Sequence, residues 1–102
     1  MSGIPGGFTE TRLATKEEQQ ICNAVKNKAE ELAGKNFAVF TATKFRSQVV
    51  AGINYLIKVH VGGAECVHLL VFQPLPCEGK SLVLNGIQTS KHQDDELVPF
   101  KP

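Results

Sequence analysis

A single change of hydrophobic period at Gly34 constrains this chain more than any other feature. Before it, Ile21, Ala24, Val25, Ala29 and Leu32 recur at helical spacing, with Lys16, Glu17, Asn23, Lys26, Asn27, Glu30 and Glu31 between them. Such a segment folds as a helix with one apolar and one wet side. Thr15 and Glu18 form a capping box at its start, where hydroxyl and carboxylate satisfy otherwise unpaired backbone amides. Gly34 ends it, because glycine accepts the left-handed conformation without a Cβ clash.

Beyond Gly34 the signals are those of strands. Phe37, Val39, Phe40, Thr41, Thr43 and Phe45 predict a first strand over 36–48, too long to stay flat without a bulge. Tyr55, Ile57, Val59 and Val61 alternate with Asn54, Lys58 and His60, giving a strand with one buried face, and Gly62-Gly63 supplies a turn. Residues 65–72 return, and Pro74-Leu75-Pro76 breaks the strand because proline cannot donate to a ladder, leaving a loop over 73–80. A last strand is expected over 81–90, with Gly86 as a bulge. One helix followed by an antiparallel meander buries its apolar surface only by wrapping the sheet around the helix, so the fold class is α+β. The 102 residues fit one domain, whose first 14, with Gly3, Pro5, Gly6 and Gly7 around Ile4 and Phe8, read as a flexible arm.

Composition narrows the function. Eleven basic residues against ten acidic give a net charge of +1, too weak a field to favour nucleic acid or anionic lipid. The apolar runs are too short to span a bilayer, and the N-terminal residues lack the layout of a signal peptide. Cys22, Cys66 and Cys77 have neither metal spacing nor even number, which suits small buried thiols in a reducing, cytoplasmic setting.

The search for chemistry returns little. Cys66 and His68 are the one local pair that suggests a nucleophile and base, but residues two apart on a strand stand side by side rather than meeting. His60, His68 and His92 are too scattered for zinc and are expected to be solvated or hydrogen-bonded. Asp94-Asp95-Glu96 lacks the spaced oxygens of a calcium loop and reads as a solvated acidic turn. The glycines form no phosphate cradle, and no cofactor is expected. Folding leaves three apolar features unused: the Ile4-Pro5-Gly6-Gly7 arm, the Val49-Val50-Ala51-Gly52 turn, and Leu75-Pro76. Turns are normally polar, so these predict a binding module whose apolar edge fills a groove.

Gln48-Val49-Val50-Ala51-Gly52 matches the Gln-x-Val-x-Gly segment of the cystatin superfamily. It follows a capped helix and a strand, lies behind an Ile-Pro-Gly-Gly arm, and precedes Leu75-Pro76 and Asp95-Glu96-Leu97. Over nearly its whole length the chain resembles a stefin, a type 1 cystatin. The run Asn54–Gly62 with Val67-His68-Leu69 is closer to the stefin B branch, whereas the arm resembles that of stefin A. The resemblance implies the cystatin fold and competitive inhibition of papain-like cysteine proteases, among them papain and cathepsins L, S, H and B. It also implies a monomer when active, able to form domain-swapped dimers. By that resemblance Ile4 and Pro5 occupy the non-primed side of a protease cleft, Gly6 is the hinge of the arm, and Gly7 belongs to the same binding segment. Val49, Val50 and Ala51 cover the catalytic centre, shaped by Gln48 and Gly52, and Leu75, Pro76, Cys77 and Phe100 add further contacts. The rival reading is a cystatin-fold scaffold without inhibitory function.

Overall fold

A computed structural model of the chain describes residues 7–75 and 81–100. Helix α1 (Lys16–Ala33) starts as expected: Thr15 is its N-cap, the capping box with Glu18 is present, and Glu18 Oε1 accepts the Thr15 amide at 2.7 Å. A cap of this kind stabilises a helix by ~1 kcal/mol. Gly34, at φ 75°, closes the far end and donates its amide back to Glu30 O.

Five strands follow one another in an antiparallel sheet whose spatial order is the chain order: β1 (Arg12–Leu13), β2 (Thr41–Val50), β3 (Gly52–Gly62), β4 (Glu65–Gln73) and β5 (Val83–His92). Phe45, Tyr55, Ile57, Val59, Val67, Leu69, Val71 and Leu84 turn to the helix and pack with Ile21, Cys22, Val25 and Ala29. This is the expected α+β arrangement, one helix packed on an antiparallel meander.

The register departs from the expectation at several points. Arg12 and Leu13, read as part of the arm, pair with Phe45 and Lys44, because β2 would otherwise present an open edge. The Arg12 guanidinium also lies 4.8 Å from the Phe45 ring centroid. Strand β2 begins at Thr41 rather than at residue 36. Phe37 and Phe40 precede it as buried rings stacked 5.5 Å apart, with helix side chains taking their backbone groups: Glu30 accepts the Phe37 amide, and Gln19 donates to Phe40 O. The bulge expected in this strand sits at Thr43, between the Ala42 and Lys44 pairings. The next turn falls on Gly63-Ala64, one residue later than expected, because Val61 is an extra residue between the paired His60 and Gly62. Strand β5 runs to His92, and its expected irregularity is a bulge at Asn85, adjoining Gly86.

The sheet's other face is covered as well. Leu56, Lys58, Cys66 and His68 point away from the helix by strand alternation, yet each is at most 2% exposed. The segment after β5 meets two of them, Lys58 and Cys66, and its own Leu97 is also buried. Lys58 donates through Nζ to Gln93 O at 2.5 Å and to Asp95 O, and Cys66 Sγ donates to Gln93 Oε1 at 3.3 Å.

Candidate functional site

The β2–β3 hairpin closes as tightly as a chain allows. Val49 pairs with Ile53 and Val50 with Gly52, leaving Ala51 alone at the tip. Below it, Asn54 Nδ2 donates to Gln48 Oε1 at 2.8 Å, fixing the register one pair beneath Val49. The tip is apolar and uncovered: Val49 is 75% exposed and Val50 42%.

Gly52 decides what stands beside this tip. It lies at φ 125°, and a Cβ placed on it would fall 2.5 Å from Gln73 O and 2.7 Å from Phe72 Cζ. Only glycine lets the start of β3 pack this closely on the end of β4. Strand β4 therefore ends against the hairpin tip, and the turn beginning at Pro74 and the exposed Leu75 starts from the same end of the sheet.

The N-terminal segment approaches the same end. Thr9 donates its amide to Ser47 O at 2.8 Å, and its hydroxyl accepts from the Ser47 amide at 3.2 Å. The segment runs antiparallel to β2, so extending it two residues brings the exposed Gly7 level with Val49. Phe100, half-buried, ends the described chain after Leu97 is fastened to Arg46. Of the expected contact residues, Gly7, Gln48, Val49, Val50, Ala51, Gly52 and Leu75 are thus gathered along one end of the sheet; Ile4, Pro5, Gly6, Pro76 and Cys77 lie outside the described residues.

A Cystatin domain model matches residues 6–94. The chain belongs to the cystatin family. Among similar proteins, Cystatin-A1 of Sus scrofa is 53% identical over 97 residues, covering 95% of this chain and 94% of the relative. Cystatin-B of Homo sapiens is 51% identical over 100 residues, covering 98% and 99%. Leukocyte cysteine proteinase inhibitor 1 of Sus scrofa is 53% identical over 97 residues, with the same coverage as the first. These relatives place the chain among the stefins.

The buried thiols and the buried histidine of this cystatin fold are held neutral by their surroundings. Burial, with Glu18 nearby, pushes the Cys22 thiol up to about 12, and burial also raises Cys66. His68 corrects the expectation of a solvated or hydrogen-bonded histidine: it is 1% exposed, and neither ring nitrogen has a partner among the described residues. Burial, then the nearby Lys58 and Lys91, lowers it to about 4, so it stays neutral at ordinary pH. His60 does find a partner, Gly63 O at 2.8 Å. In the acidic turn Asp94 and Glu96 are exposed, and the partly exposed Asp95 carboxylate accepts the His92 amide at 2.8 Å.

Sequence reasoning missed Asn54, Thr9 and Arg46 as supports of this edge. Their polar side chains carried no local signal. Only Asn54 could have been found, by pairing it with Gln48 across the hairpin.

Proposed function

We propose that this stefin is a reversible, tight-binding competitive inhibitor of papain-like cysteine proteases, papain and cathepsins L, S, H and B among them, and not an enzyme. The observation that carries the reading is the packing of Gly52 against Phe72 and Gln73, which sets the bare valine tip and Leu75 on one end of the sheet. The name of the porcine cysteine proteinase inhibitor supports the same reading.

The mechanism is occlusion. Val49, Val50 and Ala51 enter the cleft over the catalytic centre, residues 4–7 fill the non-primed side, and Leu75, Pro76, Cys77 and Phe100 add contacts beside them. The hairpin presents no activated group and no strained scissile bond to the catalytic thiol, so affinity comes from burying apolar surface on a preformed element that loses little freedom. The acting form is a monomer. The buried free thiols Cys22 and Cys66 support a cytoplasmic location.

Titration of papain with the chain tests the reading. Stoichiometric loss of activity is expected, with intact inhibitor and active protease recovered on dissociation. A covalent adduct, cleavage of the inhibitor, or full activity at micromolar excess rejects it, and full activity favours the scaffold reading.

A further inference from the structure

Arg46 lies on β2 opposite Leu56, two residues before Gln48. Its half-buried side chain holds both ends of the chain at once. Nε donates to Thr9 O at 2.8 Å, and Nη1 donates to Leu97 O at 2.8 Å. The guanidinium carbon also lies 5.9 Å from the Phe8 ring centroid, within cation–π range.

We infer that Arg46 is a positioning residue for the inhibitory edge, tying the N-terminal arm to the C-terminal segment through one guanidinium. The inference rests on the inhibitor reading for its functional half. Residues 4–7 must be ordered against the protease, and each residue already fixed at the root of the arm lowers that cost. Arg46 fixes Phe8 and Thr9, one and two residues from Gly7. The same side chain fixes Leu97, three residues before Phe100, so the two outer contacts share one anchor.

The chemistry calls for arginine. Its planar fork carries donors that diverge in fixed directions and can serve two carbonyls, whereas an ammonium is a point charge on a flexible stem. Bonds from a charged donor are also stronger than neutral ones. Thr9 keeps its two bonds to Ser47 without Arg46, and Leu97 keeps its buried side chain. Losing Arg46 should therefore loosen both segments without dissolving the fold.

Two readouts test this. The first needs no protease: NMR order parameters of the backbone amides in Arg46→Gln should fall at Thr9 and at Val98 and Phe100 together, while those of β3 and β4 stay unchanged. Arg46→Lys should restore order at one end and not the other. The second is dissociation from papain, which should be about tenfold faster for Arg46→Gln in the full chain and less affected in a chain lacking Met1–Gly6, where only the Phe100 side remains to be loosened. Order that changes at neither end or only one, or an equal loss in full and shortened chains, overturns the inference. If Arg46→Gln does not fold, Arg46→Lys carries both readouts, with a smaller dissociation effect that must still shrink in the shortened chain. If order responds at both ends while the unmodified chain leaves papain active, the tie is real and the inhibitor reading is what has failed.

Discussion

Asn54 and Gln48 face each other across the β2–β3 hairpin, with the Asn54 amide donating to the Gln48 carbonyl at 2.8 Å. The bond joins polar side chains at the point where the hairpin leaves the body of the sheet. Above it come only Val49, Val50, Ala51, Gly52 and Ile53. A rigid polar base thus supports an apolar tip, and a one-residue slip, which would turn Val49 to the opposite face, costs this bond.

Gly52→Ala should damage stability and binding together. The added Cβ meets Gln73 O and the Phe72 ring at a positive φ, so unfolding free energy should fall by about 2 kcal/mol or more. Relief of the clash separates the two turns, so affinity for papain should drop by at least about tenfold. Urea titration and inhibition kinetics on the same preparation measure both, and unchanged affinity would show that the loops act independently.

Deleting Met1–Gly6 should have the opposite pattern. Among the described residues, the hydrogen bonds that hold the N-terminal segment begin at Thr9, so the melting temperature should move by no more than about 2 °C. Dissociation from papain should quicken, since contacts removed from one interface appear mainly in the off-rate. An unaltered dissociation rate would mean that the arm is idle.

His68 should make stability pH-dependent. In the folded chain it remains neutral down to about pH 4, whereas the unfolded chain protonates it near 6.5. Between these values the unfolded state binds more protons at His68, so this residue's contribution to stability falls as pH drops from about 6.5 to about 4, by about 1.4 kcal/mol per pH unit at most. The groups facing it are Lys58, Lys91 and, with opposite sign, Asp95. Urea midpoints for His68→Leu should be flatter between pH 6.5 and 5 than those of the unmodified chain; parallel curves would contradict this.

Heating close to the melting transition should convert the monomer to a dimer that no longer inhibits. Val49 and Val50 prefer extended backbone, and the tip that reverses them consists of Ala51 alone. Straightening it would exchange α1 and β2 between two chains, preserve the core and remove the loop that enters the cleft. Size exclusion followed by papain titration of each peak decides the matter, and a dimer as inhibitory per chain as the monomer refutes it.

The sequence by itself determined what depends on near neighbours. Thr15, Glu18 and Gly34 mark the helix because caps act within one turn, and alternation from Tyr55 to Val61 names the buried face because a strand's period is two. The apolar turn at 49–52 was legible for the same reason: valines where polar residues belong. Tertiary structure decided what depends on distant segments meeting. Lys58 reads as solvent-facing and His68 as solvated or hydrogen-bonded, yet both are buried, with Gln93 O and Asp95 O accepting from the Lys58 ammonium. Arg12 and Leu13 read as arm until the open edge of β2 recruited them, and Arg46 became an anchor only once Thr9 and Leu97 arrived on either side of it. None of these meetings leaves a mark in local composition, because the groups that satisfy one another are 31 (Leu13 and Lys44) to 51 (Arg46 and Leu97) residues apart.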